Sequence, residues 1–325
     1  DYTRAVDGAD PATDWKGPHA LDTLPQVISP DTGWVKNTNN WPWTAAGRDS
    51  PRPRDFPHYM DQVGENMRGI HADKLLTGQR GFTPESLIAT AFDSWLPAFA
   101  TLVPQLTAAY DALPAGDPRK ASLAEPIALL RGWDDRWAAD SEATTLAIIW
   151  GDTLWPEVGA FAKAERMNVP DYIAQRVPPE TKLAALAAAR DRLVRDFGSW
   201  RVKWGEVNRF QRLDDRIDPH FDDAKPSLAV PFTSAQWGSL ASFGAKPYPN
   251  TKRYYGTSGN SFVAVVEFAP HLRAWAVTAG GESGDPRSPH FNDQAQRYID
   301  GKLRPVYFYP ADLTGHTERS YHPGG

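Results

Sequence analysis

The spacing of apolar residues changes once along this 325-residue chain, and the change restricts the class of fold that the chain can adopt. From about residue 83 to residue 200, apolar residues recur every three or four positions, which is the period of a helix with one buried face. From about residue 227 to residue 310, the period falls to two, which is the period of a strand. A helical block followed by a block of antiparallel strands predicts an α+β layered fold.

Proline, glycine and capping residues set the expected ends of the helices. Residues 83–85, Thr-Pro-Glu, combine a capping hydroxyl, a proline at the first helical position and an acid in the first turn. They predict a helix whose four-residue apolar spacing reaches Trp95. Residues 141–163 are apolar on most faces, so we expect a buried helix there. Residues 178–198 carry one apolar stripe and end in a glycine, which predicts a helix that stops at Gly198. Pro104 lies inside the pattern of another helix and predicts a kink or a boundary there.

The strands are expected mainly in the last third of the chain. The segments "SFVAVVEFA" (261–269) and "RAWAVTAG" (273–280) should pair antiparallel around "PHL", and "LRPVYFYP" (303–310) is a further strand candidate. Residues 1–60 are rich in Pro, Gly, Asp and Asn, so they predict extended loops. Within them "TLPQVIS" (23–29) is the candidate for a short strand.

Charge and cysteine content exclude several classes of function. The formal net charge is −5 and no basic stripe is present, so no binding of nucleic acid is predicted. No run of eighteen apolar residues occurs, which predicts that the chain does not span a membrane. The chain contains no cysteine, so it can form neither a disulfide nor a thiol nucleophile of its own.

Two loops place a histidine three residues before an aspartate and raise the possibility of a metal site. "DPHFDDAK" contains His220, Asp222 and Asp223, and "SPHFNDQA" contains His290 and Asp293. These side chains could supply nitrogen and oxygen ligands, as in a metal-dependent hydrolase. Neither loop has the paired-histidine spacing of a zinc protease, and loop His and Asp side chains usually bond the backbone.

The aromatic content raises another alternative, a non-catalytic module that binds glycans on an aromatic groove. Thirteen tryptophans are present. Trp95, Trp150 and Trp275 lie in apolar stripes, however, and a tryptophan in such a stripe usually belongs to the core.

The loop "SPDTGWVKNTNNWPWT" (29–44) places three asparagines among three tryptophans. Asn37, Asn39 and Asn40 are suited to turns, because asparagine tolerates left-handed backbone and bonds its own main chain. A side-chain amide can instead donate its N–H to a developing oxyanion. Arg68 follows on a predicted short helix, where an arginine is commonly solvated or capping. The residues alone leave both interpretations open.

Several stretches, taken together and in this order, resemble the penicillin acylase family of N-terminal-nucleophile (Ntn) hydrolases. They are "GWVKNTNNWP", "RGIHADKLL", "LLRGWDDR", "YGTSGNSFVAVVEF" and "GGESGDPRSPHFNDQ" with "YIDGKLRPVYF". The wording of "SPHFNDQ" and of the tail "HTERSYHPG" is more similar to the acyl-homoserine-lactone and lipopeptide acylase branch. The resemblance runs from about Asp7 to Pro323.

The resemblance implies an αββα sandwich and a precursor that is cut into an α chain and a β chain. The β chain of the family begins with a serine whose own α-amine serves as the base. This chain is then interpreted as the C-terminal portion of a β subunit. Its parts would be active-site loops and short strands (1–82), a helical region (83–200) and a strand-rich region (201–325). The nucleophilic serine and the α subunit would be its partners.

The resemblance also implies roles for two residues. Asn39 matches the position whose side-chain amide donates to the oxyanion, and Arg68 matches the arginine that positions this asparagine and the nucleophile. One calcium ligand of the family falls near Asp49 or Ser50, where the match is poor, so neither a metal nor a cofactor is predicted. The implied reaction is hydrolysis of the linear amide of N-acyl substrates, either acyl-homoserine lactones or penicillin-type side chains, in the periplasm.

Overall fold

The structure, a computed structural model, describes residues 5–57, 59–60 and 64–322. It contains helices and two β-sheets, which confirms the predicted α+β class. The early loops contain short 3₁₀ turns, at Pro11–Thr13, Leu21–Thr23, Pro42–Thr44, Gly47–Asp49 and Pro53–Asp55. No helix in the described ranges is both long enough and apolar enough to cross a membrane.

The strand predicted for residues 23–29 is wrong. Leu21–Thr23 form a 3₁₀ turn, and the segment that follows is paired with no strand of the described residues. Pro25 has no N–H to donate to a ladder, and the side chain of Ile28 is 82% exposed. The segment therefore has neither a complete set of backbone donors nor a buried face.

Most of the helices lie in the predicted helical block. They are α1 (Met67–Leu76), α2 (Pro84–Ala91), α3 (Pro97–Asp111), α4 (Pro118–Ser122), α5 (Ala124–Arg131), α6 (Glu142–Ala164), α7 (Val169–Arg176), α8 (Pro179–Phe197), α9 (Trp204–Val207) and α10 (Ala295–Ile299). Of these, α1 and α9 lie just outside the predicted block, and α10 lies within the strand region. The α2 helix starts at the predicted Thr83 cap, and α8 ends at Gly198, whose φ of 81° closes the last turn.

Two details of the helical block concern where helices end. The α2 helix ends at Ala91 rather than at Trp95, because the Asp93 carboxylate accepts a hydrogen bond from the Trp95 N–H and turns the chain there. The α3 helix continues past Pro104, so no helix boundary lies there, and the kink stays a prediction. Helix periodicity misplaced only the end of α2.

The strands form one mixed sheet and one antiparallel sheet. They are β1 (Asn208–Phe210), β2 (Leu228–Ala229), β3 (Phe243–Pro247), β4 (Tyr254–Gly259), β5 (Phe262–Glu267), β6 (Arg273–Thr278) and β7 (Arg304–Val306). The first sheet has the order β2-β1-β4-β3, in which β1 lies before the predicted strand block and runs parallel to β4, while β3 and β4 pair antiparallel as predicted. The second sheet, β5-β6-β7, contains the predicted β5–β6 hairpin.

A 3₁₀ turn from the strand block inserts a tryptophan into the helical core. Trp237, in the turn Ala235–Trp237, is fully buried and packs against Phe99 of α3 with ring centroids 4.9 Å apart. Gly151 of α6 allows this approach, because a Cβ there would lie 2.5 Å from the Trp237 ring. Trp237 thus connects the helical block to the strand block.

We predict that Gly151→Ala destabilises the protein by about 1–3 kcal/mol, since the added methyl group overpacks against a buried ring. Urea unfolding measures the change. The matched control is Gly159→Ala in the same helix, where the nearest atom to the new Cβ is Trp155 Nε1 at 3.9 Å. That control should be neutral or stabilising by up to about 1 kcal/mol, because alanine favours the helix. An equal change in the free energy of unfolding for the two variants would contradict the packing of Trp237 against Gly151.

Candidate active site

The asparagine-rich loop is closed by its own backbone. The Lys36 N–H donates to the Ala45 carbonyl at 2.7 Å, and the Thr32 N–H donates to the Asp49 carboxylate at 2.9 Å. Trp41 and Trp43 stack with ring planes 8° apart. These contacts fix the conformation of the loop and so position the residues at its tip.

The three asparagines of the loop make different contacts. The Asn37 Oδ1 accepts from the Asn39 N–H at 2.7 Å, which is a turn role. The Asn40 Nδ2 donates to the Glu65 Oε1 at 2.5 Å, so Asn40 anchors the loop. Asn39 is exposed and has a φ of 64°, a backbone conformation that asparagine tolerates. Of the three, Asn39 is therefore the one whose side chain is not used within the loop.

Glu65, just before α1, anchors the loop through side-chain contacts. Its Oε2 lies 2.7 Å from the Lys36 Nζ and accepts from the Thr44 hydroxyl, and both charged side chains are at least nine-tenths buried. Burial acts to raise the pKa of Glu65, but the hydrogen bonds from Lys36 and Thr44 outweigh it, so the pKa is lowered overall. Lys36 also lies 3.3 Å from Asp73, whose pKa is raised by burial. Glu65 is therefore the more strongly ionised partner of Lys36.

The start of α1 clamps the tip of the loop. Asn66 caps the helix through the Gly69 N–H, and its Nδ2 donates to the Thr38 carbonyl at 2.6 Å. The Arg68 Nη2 donates to the same carbonyl at 2.9 Å and to the Asn39 Oδ1 at 2.8 Å. Burial lowers the pKa of Arg68, and the nearby Glu65 charge acts against this. The structure thus brings Asn39 and Arg68 into direct contact.

The contact with Arg68 fixes the orientation of the Asn39 amide. A guanidinium has only donors, so the amide must present its oxygen to Arg68 and its NH₂ group elsewhere. Among the described residues, no atom accepts a hydrogen bond from the Asn39 Nδ2. Asn39 also lines a cavity of about 440 Å³ together with Trp41, Gly64 and Asn168. The arrangement therefore offers an unused N–H donor at the wall of a cavity.

The far side of α1 is tied to the rest of the fold through His71. This fully buried histidine contacts the Gly238 carbonyl through Nδ1 at 2.8 Å and the Asp93 Oδ1 through Nε2 at 2.9 Å. Burial acts to raise the pKa of Asp93, but hydrogen bonds from the Trp95 N–H, His71 and Arg136 lower it overall. His71 thereby links α1 to the turn that carries the buried Trp237.

The residues considered for metal binding serve as local hydrogen-bond partners. Asp223 accepts from the Lys252 N–H at 2.7 Å and from the Tyr255 hydroxyl at 2.9 Å, while His290 contacts Asp293 at 2.8 Å. His220 lies 3.6 Å from Asp214, and Asp222 accepts from the Ala224 N–H. In the part of the chain that the structure describes, these loops gather no group of three potential ligands.

The residues near the poorly matched calcium position also support the loop. The Asp49 carboxylate accepts from the Thr32 N–H, and the Ser50 hydroxyl accepts from the Ala46 N–H at 2.9 Å. Both contacts close the base of the loop.

Sequence reasoning missed Lys36 and Glu65. A lysine within the asparagine loop and a glutamate just before the α1 cap carry no periodic signal. A buried charge is uncommon without a partner, so an ion pair between them was inferable only after the loop and α1 were known to be adjacent.

Comparison with known proteins gives a consistent result. The chain matches the family described as penicillin amidase over residues 1–315. Among solved structures, a thermostable penicillin G acylase from Alcaligenes faecalis is similar, with a TM-score of 0.50 and 17% sequence identity. The alignment covers 95% of this chain and 60% of that chain, so this chain spans less than two thirds of the acylase chain.

The structural likeness shows a shared fold, and the family match covers nearly the whole sequence. The resemblance inferred from the motifs is therefore confirmed at the level of the family. The chain belongs to the penicillin amidase family.

Proposed function

We propose that this chain forms the oxyanion-stabilising side of an acylase active site. The complete enzyme would hydrolyse the linear amide of an N-acyl substrate through an acyl-enzyme on an N-terminal serine that lies outside this chain. The observation that carries the proposal is the contact between Arg68 and the Asn39 Oδ1, which leaves the Asn39 Nδ2 unused at a cavity wall.

In the proposed reaction, the serine Oγ attacks the amide carbonyl carbon and its proton passes to the serine α-amine. The carbonyl oxygen becomes an oxyanion, and the side-chain Nδ2–H of Asn39 donates a hydrogen bond to it. The C–N bond then breaks, the amine leaves with the proton, and water hydrolyses the ester to release the acid. Removal of one oxyanion donor of this kind typically lowers kcat by about 10²–10³-fold.

Arg68 would strengthen this donor as well as place it. Its guanidinium withdraws electron density from the Asn39 carbonyl oxygen, which polarises the amide and makes the N–H a better donor. Because the same Nη2 also holds the Thr38 carbonyl, the amide is fixed before the substrate arrives. A preorganised dipole needs no reorientation during the reaction.

The substrate class follows from the motifs. The wording of "SPHFNDQ" and "HTERSYHPG" favours acyl-homoserine lactones or lipopeptides, and the family match keeps penicillin-type side chains as candidates. In each case the linear amide is cut and the lactone or lactam ring stays intact. The proposed partners are an α subunit and the serine-bearing part of the β subunit, and the proposed location is the periplasm.

The oxyanion role predicts that Asn39→Asp and Asn39→Gly both lower kcat by about 10²–10³. Both residues tolerate the backbone at φ 64°. Aspartate keeps an acceptor for Arg68 but has no N–H, and glycine removes the side chain without adding charge. Steady-state kinetics on the assembled enzyme should show a much smaller change in KM.

The matched control is Asn250, which has the same residue type and a φ of 68° in the β3–β4 turn. Asn250→Asp and Asn250→Gly should leave kcat unchanged. An Asn39 variant with the kcat of the unmodified enzyme would rule out the oxyanion role.

The loop anchor predicts a pH-dependent effect for Glu65→Gln. A carboxyl whose pKa is lowered by folding contributes stability above its unfolded pKa, near 4.5, and loses that contribution as the pH falls through the folded value. The variant should therefore be less stable than the unmodified protein at neutral pH, and the difference should shrink below pH 4.5. Urea unfolding over a pH series measures it.

Glu267→Gln is the control, because Glu267 pairs with Arg273 at the surface, where an ion pair contributes little. Its stability should differ little from that of the unmodified protein at any pH. A Glu65→Gln difference that is constant with pH would contradict the assignment of a charged Glu65.

The proposed partners predict more than one chain in the native enzyme. Intact-mass analysis of the protein purified from its source should find a companion chain that begins with serine. A lone 325-residue species that hydrolyses acyl amides would refute the proposal.

A further inference from the structure

Asn168 lies in the turn between α6 and α7 and lines the same cavity of about 440 Å³ as Asn39. Its Nδ2 donates to the Glu65 backbone carbonyl at 2.7 Å, which ties this turn to the segment just before α1. All residues that line the cavity are uncharged. An ion without an opposite charge nearby is unfavourable in such a place, so the cavity suits a neutral polar group.

The contact with Glu65 fixes the orientation of the Asn168 amide. A backbone carbonyl only accepts, and so does the Asp171 carboxylate 3.4 Å from the Asn168 Nδ2, so the Oδ1 must point elsewhere. An asparagine in front of a helix commonly uses this oxygen to accept from the second or third N–H of the helix. Here the second residue of α7 is Pro170, which has no N–H, and the Asn168 side chain makes no capping bond.

The Asn168 Oδ1 is therefore an acceptor that has no hydrogen-bond partner among the described residues. Its side chain is half-buried, and the Oδ1 does not belong to the fully enclosed polar atoms that lack a partner in the described part of the chain. The oxygen thus keeps accessible surface, and a ligand in the cavity can reach it.

Four asparagines line the cavity, and two of them bond both ends of their amides within the protein. These two are Asn40, with Thr38 and Glu65 as partners, and Asn66, with Gly69 and Thr38 as partners. Asn39 uses only its oxygen, for Arg68, and Asn168 uses only its nitrogen. Among the described side-chain amides, the wall therefore presents one unused NH₂ group and one unused carbonyl oxygen.

A secondary amide offers the complementary pair of groups. Its oxygen accepts and its N–H donates, on opposite sides of a planar trans bond, and it carries no charge. We propose that Asn168 is a specificity-determining residue whose Oδ1 accepts the N–H of the scissile amide while the Asn39 Nδ2 donates to the amide oxygen. The inference rests on the proposed function, because it adds a second contact at the same reacting bond.

Asn168 orients the leaving nitrogen and takes no proton from it. The N–H bond of the substrate stays intact while the C–N bond breaks, and the second hydrogen of the leaving amine is the proton that the serine Oγ gave to the α-amine. An ester has an oxygen in place of the N–H, so it leaves the Asn168 Oδ1 without a donor. The site therefore selects secondary amides over esters with the same acyl group.

Kinetics on the assembled enzyme test the proposal with decanoyl and phenylacetyl 4-nitroanilides and the 4-nitrophenyl esters of the same two acids. Asn168→Ala should lower kcat/KM for the anilide roughly three- to tenfold more than for the ester, which is the effect of one hydrogen bond. Asn168→Asp keeps an acceptor but loses the donor to Glu65, so its ratio of anilide to ester kcat/KM should equal that of the unmodified enzyme. Asn292→Ala is the matched control, because the Asn292 Nδ2 also donates to a distant backbone carbonyl, that of Arg212, but does not line this cavity.

The ratio separates a contact with the substrate from a purely structural role. If Asn168 only ties the α6–α7 turn to Glu65, both Asn168 variants lower the anilide and the ester by the same factor, and that result would overturn this inference alone. Asn39→Gly should lower kcat for both substrates, because both form an oxyanion. An unchanged kcat for Asn39→Gly would instead refute the proposed function, and with it the contact to Asn168.

Discussion

The geometry of the candidate site depends on one buried ion pair, between Lys36 of the loop and Glu65 before α1. Removing two charges from water is unfavourable, so a buried pair needs good geometry and further hydrogen bonds that satisfy both groups. Here the Glu65 carboxylate also accepts hydrogen bonds from the Thr44 hydroxyl and from the Asn40 Nδ2. Each of these groups is left unsatisfied if the loop shifts, so the pair restricts the loop to one position relative to α1.

A continuous set of contacts connects the loop to the hydrophobic core and fixes its position. Trp237 is seated beside Gly151 in the helical core, and the next residue, Gly238, offers its carbonyl to His71 of α1. The first turn of the same helix carries Arg68, which donates a hydrogen bond to the Asn39 Oδ1. The exposed tip of the loop is thus fixed by packing that lies well inside the protein, which is what a preorganised donor requires.

The parts of the structure that depend on local chemistry were predictable from the sequence. The cap at Thr83, the stop at Gly198 and the β5–β6 pairing follow from residues close together in the chain. The contact between Arg68 and Asn39 was predicted through motif resemblance rather than from the residues alone, and their roles stay predictions. The Lys36–Glu65 pair was not predicted, because it joins segments that are distant in the sequence and give no periodic signal.

Three demands act on residue 39, of which the backbone conformation and the contact with Arg68 are observed and the third belongs to the proposed oxyanion role. A φ of 64° restricts the position mainly to glycine, asparagine and aspartate. Arg68 requires an acceptor there, which excludes glycine. A donor directed away from Arg68 excludes aspartate, whose ionised carboxylate only accepts. Asparagine meets the backbone demand and presents an acceptor on one side and a donor on the other, so the turn role and the proposed oxyanion role favour the same residue.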